Sequence, residues 1–98
     1  MKTRVVNSNT EAYDVYIGRP SKWSNPFIIG KDGNRKEVIQ KYREWINSQS
    51  ELLENLTELE GKRLGCHCVP LACHGNILVE LLNNVITNEL LLPQDKNE

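Results

Sequence analysis

Residues 62–78, KRLGCHCVPLACHGNIL, combine a strand, a turn and the start of a helix in one short stretch. The pattern at 62–66 predicts a short strand, and Pro70 predicts a turn after it. From His74 or Gly75 onward, apolar residues recur at helical spacing, which predicts a helix with one apolar face. The stretch therefore predicts a strand and a helix, joined by a loop that carries all three cysteines of the chain.

Upstream of this stretch, the sequence predicts two strands and two helical segments. β-Branched and aromatic residues at 3–7 and 14–17 are typical of short strands. A turn and helix cap at 32–34 precedes a periodic apolar pattern that ends at Ile46, which predicts a helix. Leucine-rich positions 50–59 predict a second, shorter helical segment that stops near Gly61.

This order of elements predicts a small Rossmann-like α/β sandwich with a short, mainly parallel sheet and about three helices. A chain of 98 residues is too short to bury two cores. We therefore expect one α/β domain over residues 1–86 and a C-terminal tail over 87–98. Ligands of such folds lie beyond the carboxyl ends of the strands, so the loops after Ile17 and Cys66 are expected to converge on one crevice.

Composition and charge exclude several classes of function. Twelve Lys and Arg against thirteen Asp and Glu give a net charge of -1, which disfavours duplex nucleic acid and anionic membranes as partners. The longest strongly apolar stretch, at 77–82, is far shorter than a membrane span, and the N-terminal residues do not resemble a secretion signal. Three clustered cysteines do not form a disulfide framework, so the cytoplasm is the expected compartment.

The loop 18–27, GRPSKWSNPF, is rich in groups that bind anions and bases. Arg19 offers a planar fork of donors for a phosphate or carboxylate, Lys22 a point charge, and Trp23 a face for stacking. The alternative is structural: Arg19 and Lys22 are solvated, while Trp23 and Phe27 close the end of a small core.

Three interpretations compete for the cysteine segment. In the first, Cys66, Cys68, Cys73 and His74 supply the three thiolates and one imidazole of a tetrahedral zinc site, although their spacing is unlike that of common zinc knuckles. In the second, Cys73 or Cys66 is a reactive thiol at a helix N-terminus, with His74 or His67 as its base. In the third, the cysteines are small buried apolar residues and His74 caps the helix or packs.

The residues just quoted, from Asp14 to Phe27 and from Gly61 to Gly75, resemble a bacterial and phage family known as domain of unknown function 4326. The resemblance runs from about residue 5 to residue 82. Ser24 stands where that family usually has glycine, and His67 where it usually has an aromatic residue, which argues against an essential role for His67. The C-terminal third is more weakly similar to another uncharacterised group, domain of unknown function 488, and by analogy this similarity implies a Rossmann-like layout with a ligand crevice.

These patterns predict that a nucleotide-derived or other phosphorylated small molecule binds between the two loops. No cofactor is predicted, although zinc fits the cysteine cluster. Cys73 and His74 are the candidate catalytic pair for a group-transfer or hydrolysis step. The candidate ligand-binding residues are Gly18, Arg19, Ser21, Lys22, Trp23, Asn25, Gly75 and Asn76.

Three alternatives remain open at the level of sequence. The protein binds its metabolite without turnover, as a sensor or sequestering protein. It is a zinc-stabilised module that binds a protein partner. It binds single-stranded nucleic acid or a flipped base through Arg19, Lys22 and Trp23. A homodimer through the leucine run 90–92 is also open, as is packing of that run onto its own domain.

Overall fold

The computed structural model describes the backbone of residues 2–91 and the side chains of residues 2–84. Strands β1 and β2 are followed by helices α1 and α2, a 3₁₀ turn, strand β3 and helix α3. Their bounds are Arg4–Asn7 for β1, Val15–Tyr16 for β2, Arg35–Ile46 for α1, Ser50–Glu54 for α2, Leu56–Leu59 for the 3₁₀ turn, Arg63–Cys66 for β3 and His74–Leu91 for α3.

The three strands form one parallel sheet in the order β1-β3-β2. Leu64 of β3 is the partner of Val5 on one side and of Val15 on the other. Beyond β2, the amide of Ile17 donates to the carbonyl of Gly65 and extends the ladder. The predicted class, a small α/β fold with a short parallel sheet and three helices, is confirmed, while its Rossmann-like detail stays a prediction.

Helix α1 begins where its sequence specifies. The side chain of Asn34 accepts from the amide of Glu37, and the Glu37 carboxylate accepts from the amide of Asn34. This capping box satisfies two donors that the start of a helix otherwise leaves without partners. It fixes the position of Arg35, the first residue of the helix.

The second predicted helical segment, 50–59, is interrupted. It divides at Asn55 into α2 and the 3₁₀ turn. Leu56 and Leu59 are both buried, and the three-residue period of a 3₁₀ turn places them on the same face. Gly61, at a φ of 73°, then reverses the chain toward β3.

The core lies between the sheet and the helices. It contains the following buried side chains: Ile17, Trp23, Tyr42, Ile46, Leu56, Leu59, Leu64, Cys66, Cys73, Ile77, Leu78 and Leu82. Tyr42 donates its hydroxyl to the carbonyl of Trp23, so the loop after β2 is fastened to α1.

Helix α3 continues to Leu91, past the predicted domain boundary at 86. Residues 92–98 of the predicted C-terminal tail lie outside the described residues, and so do the side chains of the leucine run 90–92. Within residues 2–91, no helix is both long enough and apolar enough to span a bilayer.

Candidate functional site

A cavity of about 310 Å³ lies where the loops after β2 and β3 meet the first turns of α1 and α3. We call it the crevice. The two loops that the sequence singles out therefore converge, as expected for ligand sites at the carboxyl ends of parallel strands. The crevice is lined by Gly18, Arg19, Ser24, Asn25, Phe27, Ile28, Ile29, Arg35, Val38, Ile39, Cys66, His67, Cys68, Ala72, Cys73 and His74.

Two arginines supply the positive charge of the crevice. Arg19 donates to the carbonyls of Asn25 and Phe27, at 3.0 and 3.3 Å. Arg35 donates to the carbonyl of Ala72 at 3.0 Å, next to Cys73. Each guanidinium has five N–H donors, so several remain for a ligand. No aspartate or glutamate is among the lining residues, so neither charge is cancelled there.

The three cysteines are free thiols grouped on one side of the crevice. Their sulfur atoms all lie within 4.8 Å of one another. The thiol of Cys66 donates to Sγ of Cys73 across 3.1 Å. This bond raises the pKa of Cys66 and lowers the pKa of Cys73, which also accepts from the amide of Gly75. The cluster could therefore bind a metal ion through three sulfur atoms.

His74 is buried at the start of α3. Its Nε2 lies 2.8 Å from the carbonyl oxygen of Ile17, which can only accept, so Nε2 carries the proton. Burial lowers the pKa of His74, and the nearby Arg19 charge acts in the same direction. The neutral ring stands edge-on to Tyr42, with its centroid 5.1 Å from that of the tyrosine ring.

His67 is exposed and bonded on both ring nitrogens. Nε2 lies 2.7 Å from the hydroxyl of Tyr16, and Nδ1 lies 3.3 Å from the hydroxyl of Ser8. These contacts join the loop after β3 to β2 and to the residue that follows β1.

A family model described as a domain of unknown function, DUF4326, matches residues 2–84. The chain belongs to this family. An uncharacterised 12.4 kDa protein from the nrdA-td intergenic region of Enterobacteria phage T4 is 35% identical over 91 residues, covering 88% of this chain and 82% of that protein. An uncharacterised protein of Acanthamoeba polyphaga mimivirus is 36% identical over 93 residues, covering 76% and 71%. No solved structure matches the chain significantly.

The DUF4326 match spans every residue that lines the crevice. Five of the ten residues predicted to bind the ligand or catalyse lie there, namely Gly18, Arg19, Asn25, Cys73 and His74. The side-chain amide of Asn25 is already engaged, because Nδ2 donates to the carbonyl of Val38 and Oδ1 accepts from the amide of Phe27. Asn25 therefore shapes the crevice through its loop.

Three other predicted residues of the loop 18–27 lie outside the crevice. Trp23 is 2% exposed and packs in the core, so it does not present a stacking face. Its position agrees with the alternative in which Trp23 closes the end of the core. Lys22 pairs with Glu58 at 3.0 Å and stands over the Trp23 ring. Ser21 accepts from the amide of Trp23 and stabilises the turn.

The two residues of α3 predicted to bind an anion, Gly75 and Asn76, both make hydrogen bonds within the protein. Gly75 is buried, and its amide donates to the sulfur of Cys73. Oδ1 of Asn76 accepts from the amide of Cys73. His74 is absent from the group of mutually close metal-binding side chains, which consists of Cys66, Cys68 and Cys73 among the described residues.

Sequence reasoning missed Arg35 and the apolar wall formed by Phe27, Ile28, Ile29, Val38 and Ile39. Arg35 was assigned no role from the sequence. Its position directly after the predicted cap Asn34 was a usable signal, because that cap follows the loop that reaches the crevice.

Proposed function

We propose that this protein binds a small molecule with a phosphate or carboxylate group in the crevice between the loops 18–27 and 66–76. The observation that carries the proposal is the arginine pair. Arg19 and Arg35 are each held by backbone carbonyls. Neither is in a salt bridge within the described part of the chain, whereas Arg4, Lys22, Arg43 and Arg63 are. An arginine that is held in place and has no carboxylate partner is suited to bind an anionic ligand.

The apolar part of the crevice lining supports a ligand with an apolar or planar part. Ile28 and Ile29 are 42% and 48% exposed and line the crevice beside Phe27. Apolar walls with a few polar anchors are typical of small-molecule sites, and the volume of about 310 Å³ lies near the lower end of their range. A mononucleotide or another phosphorylated metabolite of similar size matches both features.

Binding without turnover has more support than catalysis by Cys73 and His74. The base of such a pair must reach the thiol. Because Nε2 of His74 carries the proton donated to Ile17, only Nδ1 could accept a proton from Cys73. No hydrogen bond joins His74 to Cys73 among the residues described. A sensing or sequestering role therefore agrees better with the geometry than a group-transfer reaction.

Metal binding at the three cysteines is the second candidate. The observation that favours it is the mutual approach of the three sulfur atoms within 4.8 Å. Thiolates select zinc and Cu(I) over harder cations, and zinc is the ion considered from the sequence.

The test is a calorimetric titration of the reduced, chelator-treated protein with the four ribonucleoside monophosphates and with inorganic phosphate. We expect binding by at least one of them. The double variant Arg19→Gln/Arg35→Gln should lower that affinity by at least about tenfold, because each charge-assisted hydrogen bond contributes about 1.5 kcal/mol or more.

The matched control is Lys36→Gln, which removes a positive charge from the exposed residue next to Arg35. Lys36 does not line the crevice, so this variant should bind as the wild type does. The proposal is contradicted if none of these compounds binds at millimolar concentration, or if the double variant keeps the wild-type affinity.

A further inference from the structure

The three cysteine sulfurs are brought together by the ends of two elements. Cys66 is the last residue of β3, Cys68 follows in the loop, and Cys73 directly precedes α3. Because strand and helix both belong to the folded core, the sulfurs are held near one another before any ion binds. Their separation of at most 4.8 Å is compatible with one shared ion.

Backbone amides already point at two of these sulfurs. The amide of Cys68 donates to Sγ of Cys66, and the amide of Gly75 donates to Sγ of Cys73, each at 3.3 Å. Hydrogen bonds of this kind stabilise thiolates, which are the form that binds metal. Two sulfurs bound to one zinc at about 2.3 Å stand about 3.8 Å apart in a tetrahedral site. The present 3.1 Å between Cys66 and Cys73 needs only a small side-chain rotation to reach that spacing.

The number of protein ligands decides what kind of metal site this is. Structural zinc sites have four protein ligands, whereas sites that bind a substrate or water have three and one exchangeable position. Within the described residues the group holds three cysteines and no histidine or carboxylate. His74 is not in that group, although either ring nitrogen could serve as a ligand atom, and its Nε2 donates to Ile17.

The exchangeable position belongs to the crevice, because all three cysteines line it. Arg35 reaches the same place, since its guanidinium is bonded to the carbonyl of Ala72, the residue before Cys73. A zinc ion with three thiolates carries one net negative charge, which Arg35 and Arg19 offset.

We propose that Cys66, Cys68 and Cys73 hold a zinc ion whose fourth ligand is the anionic group of the molecule that binds in the crevice. The inference rests on the proposed function, because that function supplies the anion. Zinc and the anionic ligand therefore bind cooperatively, each raising the affinity for the other by the same factor.

The test uses Co²⁺ as a spectroscopic probe for zinc in the reduced, full-length chain. We expect one Co²⁺ per chain, with sulfur-to-cobalt charge-transfer absorption and the visible bands of a tetrahedral site. Zinc should displace it. Inorganic phosphate should then change the visible bands and tighten Co²⁺ binding, because it replaces water in the exchangeable position.

Two variants separate the parts of the site. Cys68→Ser removes the half-buried sulfur that is not in the core, and should weaken Co²⁺ binding by more than about tenfold while the fold is kept, as circular dichroism would report. Arg35→Gln should reduce the response to phosphate. Lys62→Gln is the control, because it removes an exposed charge at the other end of the sheet and should change neither result.

The inference is overturned if Co²⁺ does not bind stoichiometrically, or if it binds with a spectrum and an affinity that do not respond to phosphate. The second outcome would indicate a structural metal with a saturated ligand set. Neither outcome affects the titration of the metal-free protein with nucleotides, so failure of this inference is distinguishable from failure of the proposed function.

Discussion

His74 donates its Nε2 proton to the carbonyl of Ile17, and this bond joins the first turn of α3 to the residue after β2. The ring is buried and packs edge-on against Tyr42. A buried carbonyl that loses its donor costs free energy, because water cannot replace the bond. The same imidazole that the sequence suggests as an acid/base group therefore has a structural role.

His74→Ala should lower the free energy of unfolding by about 2–3 kcal/mol, from the unpartnered carbonyl and the lost packing of the ring. Urea denaturation measures this. His67→Ala is the matched control and should cost less than about 1 kcal/mol, because His67 is exposed. Wild-type stability of the His74 variant would instead show that the bond to Ile17 and the packing against Tyr42 do not stabilise the fold.

At the residue scale, the sequence located Arg19 and the three cysteines that line the crevice, but not Arg35. The three cysteines and Arg19 were found because they are unusual residues in or beside predicted loops. The sequence singled out Lys22 and gave no signal strong enough to name Arg35, because both are cations beside polar residues. Only the packing decides that one pairs with Glu58 and the other enters the crevice.

At the element scale, the approach of α3 to the sheet depends on Gly75. A Cβ atom there would lie 2.7 Å from Cδ1 of Ile17 and 2.9 Å from Cγ2 of Val5, closer than carbon atoms can pack. The glycine lets the first turn of α3, with Cys73 and His74, lie directly over the strands. The position of the cysteine cluster therefore depends on a missing side chain.

Gly75→Ala should lower the free energy of unfolding by about 1–2 kcal/mol, because overpacking outweighs the gain in helix propensity. Thermal or urea denaturation measures the change. Ile17→Val removes the closest methyl group, so the double variant should lose less stability than the two single variants added together. Strict additivity would show that the clash with Ile17 is not the cause.

The elements differ in how far their sequences determine them. Helix α1 was predicted because its capping box and apolar period are local. The interruption at Asn55 was not predicted, because it depends on the burial of Leu56 and Leu59 in the core. Strand β2 is only two residues long, and its predicted fourth position, Ile17, continues the ladder through one hydrogen bond.

At the scale of the whole molecule, charges nearly cancel, with twelve cations against thirteen anions. Stability near neutral pH therefore depends on local pairs more than on net repulsion. One such pair lies at the opposite end of the sheet from the crevice. Asp14, just before β2, accepts from the amide, Nε and a terminal guanidinium nitrogen of Arg63, which begins β3.

These hydrogen bonds and the charge of Arg63 lower the pKa of Asp14 from 3.8 to about 2. A carboxyl whose pKa is lower in the folded state stabilises the fold above its unfolded pKa, and this contribution is lost as the pH falls from about 4 to about 2. Asp14→Asn should therefore lower the melting temperature at pH 7, and the difference from wild type should shrink on acidification and be nearly lost at pH 2. The pair is exposed, so we expect a small effect that salt weakens further.

Melting curves of both proteins at pH 7, 4 and 2 measure this difference. Glu11→Gln is the control for removing a neighbouring carboxylate. A difference that stayed constant across this range would show that the Asp14 carboxylate acts through its shape alone, without its charge.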